Sequence, residues 1–263
     1  MSIITRKVKP LTLTESQWYE IQLGDLFFYV MKKSNVYWTS VDYQASTNPS
    51  MCKAIEPINK LPAHLEIKEK IYLPDSSVQP VITLQLADKP YEVNTAAVVK
   101  IAPQSRLILY VSTPLWLQVK EENEAQHLVE YPAVIPRLSW VGNNTTEGSL
   151  CYCTKSSAPS VFSEVKQYKH RALTALELIN DGGQLLTIDR LSLPLNILSL
   201  YHSDAGGYWT ESVRYRIQPE TGETTIVAAK RPPEELGHVS IISKARDADK
   251  VNRFRTAMNL ILG

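Results

Sequence analysis

Apolar residues along this chain come in short alternating runs rather than in long helical stripes. The runs at 20–23, 26–31 and 35–41 are rich in aromatic and β-branched residues, and Gly24-Asp25 and Lys32-Lys33-Ser34 separate them. That pattern predicts a meander of short strands. The run at 65–71 alternates as a strand with one solvated face would. Further runs at 81–86, 97–101 and 106–111 are set apart by Pro74, Pro80, Pro90, Pro103 and Pro114. Proline lacks the amide donor that a sheet ladder uses, so these prolines mark gaps between strands or sheet edges. Beyond 148, runs at 150–154, 172–179, 185–191, 197–202, 209–217 and 224–229 are punctuated by Asp181-Gly182-Gly183, Leu193-Pro194 and Ala205-Gly206-Gly207. Strands at this spacing, with no helices between them, predict an all-β sandwich or barrel and argue against a βαβ fold. Asp181-Gly182 and Gly206-Gly207 read as hairpin turns.

The period changes at the end of the chain. Val251, Phe254, Met258 and Ile261 recur at intervals of three, four and three, one stripe of an amphipathic helix with Asp247 and Asp249 near its start. The expected fold class is therefore mainly β and β-sandwich-like, as one extended or two packed units, closed by a C-terminal amphipathic α-helix. The polar run 142–148 is the candidate boundary. It divides the chain into an N-terminal β unit over 1–141, a C-terminal β unit over 142–240 and the helix over 241–263. The acidic stretch 121–126 reads as a loop.

Composition narrows the function classes. A chain of 263 residues with 44% hydrophobic and 21% charged residues can bury a proper core and is not disordered. A net charge of +1 provides no concentrated positive field, so nucleic acid is not an expected partner. Three cysteines, an odd number, suit a reducing compartment. The N-terminal residues lack the apolar core of a signal peptide, and no apolar run approaches the roughly 20 residues of a membrane helix. A cytoplasmic location is expected.

Candidate chemistry is sparse. Cys151 and Cys153 flank Tyr152 and would point both thiols to one face of a strand, but a second ligand pair at zinc spacing is missing. Two small core residues are the better reading of them. His202-Ser203-Asp204 has the residue types of a hydrolytic triad without a Gly-x-Ser-x-Gly elbow, and Asp204 to Gly207 reads as a turn. The paired glycines extend into no nucleotide-binding motif, and no cofactor is expected. Arg214 and Arg216 share one strand face and, with Lys166, Lys169 and Arg171, could recognise an anion. The plainer expectation is cross-strand pairing with Glu177, Asp189 or Glu211. Arg190 interrupts an apolar strand and must be paired if it points inward, with Glu211 the expected partner. The residues singled out for a ligand or partner are thus Arg190, His202, Trp209, Glu211, Arg214 and Arg216. The terminal stripe could pack on its own sheet or meet a partner or a second subunit.

Arg171-Ala172-Leu173, Asn180-Asp181, Leu186-Thr187-Ile188-Asp189-Arg190-Leu191-Ser192-Leu193-Pro194, Leu198-Ser199-Leu200-Tyr201 and Trp209-Thr210-Glu211, preceded by Glu147-Gly148-Ser149-Leu150-Cys151-Tyr152, resemble the C-terminal part of an uncharacterised prokaryotic family, domain of unknown function 432. The resemblance covers roughly 148–216. It carries over no catalytic residue. Members are sometimes encoded near mechanosensitive channel proteins, so the resemblance implies an accessory role at a membrane channel. The expected function is a non-enzymatic cytoplasmic interaction or accessory module with a protein partner, and a homo-oligomer is also compatible. The alternative is a small-ligand or carbohydrate-binding β-sandwich, with or without hydrolase activity, built on Trp209, Tyr201, His202 and Arg190.

Overall fold

The computed structural model describes residues 12–45, 52–73, 79–121, 127–142 and 148–247. Within them the chain is mainly β, with nineteen strands in four sheets and three single-turn 3-10 helices. The strands gather into two compact units. Unit 1 takes Met1–Gln85, Pro114–Ile135 and Tyr168–His170, and unit 2 takes the rest.

Unit 1 begins with the expected meander. β1 (Trp18–Leu23), β2 (Leu26–Lys33) and β3 (Val36–Tyr43) pair antiparallel, with β4 (Cys52–Ile58) beside β1 and β5 (Glu69–Tyr72) beside β3. Gly24 turns the chain between β1 and β2 at φ +61°, and a Cβ there would press on the His170 ring and the Ala133 carbonyl. A three-stranded sheet of β6 (Pro80–Gln85), β9 (Trp116–Glu121) and β10 (His127–Pro132), with β9 central, completes the unit. Phe28 meets Tyr131 at 5.8 Å, and the Tyr43 hydroxyl donates to the Pro132 carbonyl at 3.0 Å. The alternating run 65–71 becomes strand only from Glu69. Before it, the Lys68 amide donates to Thr39 O and the Ser40 hydroxyl donates to Glu66 O, which hold the segment without a regular ladder.

Unit 2 holds the larger set. One sheet runs β11 (Arg137–Gly142), β12 (Gly148–Ser156), β7 (Tyr91–Ile101), β14 (Leu186–Leu193). The other is centred on β13 (Arg171–Asn180), which pairs with β8 (Ser105–Pro114) and lies parallel to β16 (Tyr208–Trp209) and then to β17 (Val213–Gln218). β18 (Glu223–Ala228) extends it beyond β17, and β15 (Leu200–Ser203) and β19 (Val239–Ser243) extend it beyond β16. The two sheets face each other as in a sandwich. The Tyr215 hydroxyl on β17 donates to Ser192 O on β14 at 2.7 Å, and Val93, Leu191, Leu193, Leu176, Leu178 and Val213 are buried.

Several expectations change here. Gly142 and Gly148 are paired residues of one sheet, so the polar run taken as a boundary at 142 closes a hairpin inside unit 2. The division observed is instead discontinuous along the sequence. Asp181-Gly182-Gly183 links strands of opposite sheets and is no hairpin, whereas Gly206 and Gly207, at φ +110° and +75°, do close the hairpin of β15 and β16. Ile197 ends a 3-10 turn, and 210–212 breaks the expected strand 209–217 in two. Residues 241–243 belong to β19, Lys244 to Asp247 is non-helical, and the predicted C-terminal helix otherwise lies outside the described residues. The acidic loop 122–126 lies outside them as well. No helix among the described residues is long and apolar enough to cross a membrane.

Candidate functional site: a charged cleft on unit 2

Alternation along β8, β13 and β17 sends one set of side chains into the sandwich and the other to the opposite, outer face. Ile108 and Tyr110 of β8, Ala175 and Glu177 of β13, and Arg214 of β17 belong to the outer set. Part of this face carries a small core of its own, in which Tyr110, Leu173, Ala175, Trp209 and Leu236 cluster. Trp209 is fully buried there, stacked on Phe162 at 5.7 Å and edge-on to Tyr110 at 6.3 Å. Beside this cluster lies a cleft of about 1060 Å³. Sheet residues form its floor, and the segment connecting β18 to β19 forms its wall.

That wall reads Lys230-Arg231-Pro232-Pro233-Glu234-Glu235, and all six residues line the cleft. Pro233 sits at φ −53°, ψ 140°, the extended polyproline region, before the 3-10 turn Glu234–Leu236. Charge therefore changes sign along a stiff stretch of backbone. On the floor, Glu177 is clamped by Arg214 at 2.5 Å and Arg106 at 3.6 Å. Tyr201 also lines the cleft, and its hydroxyl donates to Glu211 Oε1 at 3.0 Å. The other Glu211 oxygen accepts the Ser199 amide at 2.7 Å. Burial, reinforced by the Glu211 carboxylate, pushes the Tyr201 phenol up to about 12. Burial and then Glu235 raise Tyr110 likewise.

The residues singled out from sequence divide accordingly. Arg214 lies in the cleft, and its pairing with Glu177 is one of the cross-strand ion pairs expected. Arg216 pairs instead with Asp181, at 3.0 Å. Glu211 is buried against the cleft residue Tyr201 and is not the partner of Arg190. Arg190 lies 4.0 Å from Glu92 and 3.9 Å from Asp189, because it stands opposite Asn94 of β7, two residues from Glu92. His202 packs edge-on against Tyr208 at 5.4 Å, while it is His238 that meets Asp204, at 3.1 Å. The Ser203 hydroxyl is buried and donates to Leu236 O, so these three neighbours form no triad. Cys151 is buried opposite Ser139, with its thiol pushed up by burial, and Cys153 stands opposite Arg137. Among the described residues no group of three or more His, Cys, Asp or Glu could hold a metal. The wall 230–235 was missed, although its run of two cations, two prolines and two acids is plain in the sequence.

A family model described as a protein of unknown function (DUF432) matches residues 9–261, well beyond the 148–216 that carry the resemblance in sequence. No curated protein and no solved structure matches the chain.

Proposed function

The chain belongs to the DUF432 family, and from that premise we propose that it is a non-enzymatic interaction module whose unit 2 cleft grips a polypeptide segment of a protein partner. The observation that carries this reading is the wall Lys230 to Glu235. The cations Lys230 and Arg231 and the acids Glu234 and Glu235 stand on either side of Pro232-Pro233. A ligand lying along the wall is therefore asked for an acidic group near Lys230 and Arg231 and a basic group near Glu234 and Glu235. A peptide that carries an acidic and a basic side chain meets that demand. A small monovalent metabolite does not. The carboxylates near the floor favour binding over turnover, since Glu177 is held by two arginines and Glu211 by an amide and a phenol. The carbohydrate alternative is less well supported, because Trp209, its intended platform, is buried.

The setting we propose is cytoplasmic, with the partner segment belonging to a membrane channel. The amphipathic helix of Val251, Phe254, Met258 and Ile261 remains part of the proposal as a second contact.

The test is peptide display panned against the full chain, followed by fluorescence anisotropy with the enriched peptide. K230E/R231E and E234K/E235K should each weaken binding about tenfold or more, and a peptide with reversed charge order should restore it. Unchanged affinity in both variants would overturn the assignment of the cleft. Enrichment of no peptide, together with thermal stabilisation by a glycan or metabolite panel, would replace it with the small-ligand reading.

A further inference from the structure

The inner face of the four-stranded sheet runs out into solvent at one edge. Residues at matched register positions across its strands share a face, and one such row reads Leu193, Tyr91, Tyr152, Leu138 from β14 to β11. Leu193 and Tyr91 are fully buried and Tyr152 nearly so, yet Leu138 is 64% exposed. In the adjacent row Trp140 and Leu150, opposite each other on β11 and β12, are 46% and 44% exposed. Three large apolar side chains thus continue the core face past the end of the core.

The two edges of this sheet are built differently. β14 carries the charged pair Asp189 and Arg190, a device that keeps a free edge from pairing. β11, Arg137-Leu138-Ser139-Trp140-Val141-Gly142, has no proline, no register shift against β12 and one charge at its first residue. No strand among the described residues pairs with its far side.

We propose that β11 is a dimerisation edge, at which two copies of this chain pair β11 antiparallel about Ser139. The geometry selects a second copy because the strand is complementary to itself in this arrangement. An isologous pairing centred on Ser139 sets Leu138 of each copy opposite Trp140 of the other, on the same face. One apolar row then runs Leu193, Tyr91, Tyr152, Leu138 in one copy and Trp140, Leu150 in the next, with no charge in it. The two Arg137 side chains end up four residues apart, about 13 Å along the strand, whereas a parallel pairing would set them side by side. The two four-stranded sheets become one, and the exposed ends of both core faces cover each other.

Sedimentation equilibrium of the full chain from about 1 to 100 µM, with hydrogen exchange of 137–142 at both ends of that range, tests it. The expected result is a monomer–dimer equilibrium, with slower exchange in β11 at the higher concentration. L138D, at a position already largely exposed, should weaken the dimer about tenfold or more while leaving thermal stability unchanged. L150D should do the same and serves as the second variant if L138D unfolds. A chain monomeric throughout the range would overturn the proposal. So would a dimer indifferent to both substitutions, or protection of β11 that does not depend on concentration, which would point to another part of the same chain as the cover.

Discussion

Glu211 is buried against the Tyr201 phenol, whose proton can be followed. Glu211 is 8% exposed and accepts hydrogen bonds on both oxygens. Its replacement by alanine strands the Ser199 amide and the Tyr201 hydroxyl and should cost about 2–3 kcal/mol in urea unfolding. Gln at the same position keeps one acceptor and should cost about half as much. The Tyr201 phenol is raised from 10.0 to about 12 in the folded chain. A raised acid favours the folded state while it is neutral, so its contribution is full below pH 10 and is lost as pH rises toward 12. Tyr201→Phe should therefore flatten the fall in urea midpoint between pH 10 and 12, and an unchanged slope would contradict the assignment. Gly182 is a second sensitive position, for steric reasons. A Cβ there would overlap the Glu220 carboxylate and the Pro219 ring, and Gly183 N–H donates to Glu220 at 2.5 Å. Gly182→Ala should cost about 1–3 kcal/mol. Adding Glu220→Ala should recover part of that in a double-mutant cycle, and strict additivity would rule out the contact.

At the scale of elements, the crossing from β13 to β14 depends on Asn180. Its amide nitrogen donates to Ile101 O, Ala102 O and Gln184 O, and its oxygen accepts the Gly182 amide. Asn180→Asp swaps the donor for an acceptor facing three carbonyls and should destabilise by about 3 kcal/mol or more, read by thermal or urea unfolding. Strand identity was largely legible beforehand, because the short apolar runs at 20–41 and 172–179 become β1, β2, β3 and β13. Partnership was not. β7 with β12, and β13 with β16 and β17, pair in parallel across long crossovers that carry other strands, and such pairings leave no turn signature. The polar run 142–148 looked like a linker because a hairpin loop and a linker draw on the same residues. The site was half legible for a related reason. Arg214 and Glu177 announce themselves as a cross-strand pair, but that the wall 230–235 folds over the same face depends on where β19 returns, beside β15.

Over the whole molecule, buried phenols set a common alkaline limit. Tyr29, Tyr43, Tyr91, Tyr131 and Tyr215 are all raised above their ordinary value, each chiefly by burial. The sign is the same as for Tyr201, so their contribution to stability should be level below about pH 10 and be lost above it. Phenolate absorbance should show these groups ionising together with unfolding, and a stability loss that begins well below pH 10 would refute the prediction. The interleaving of the two units carries a consequence for how the chain is made. Unit 1 is complete only once 168–170 has been added, and unit 2 draws on 86–113, 136–167 and everything from 171 onward. During synthesis, then, unit 1 waits for 168–170, and unit 2 waits for the residues from 171 onward. The first 142 residues of a nascent chain already contain strands whose neighbours are not yet translated, among them β7, which lacks both β12 and β14. Such a chain folds late, with open strand edges exposed in the interval. A stop codon near the middle would release one fragment in which both units are unfinished, instead of one small stable domain.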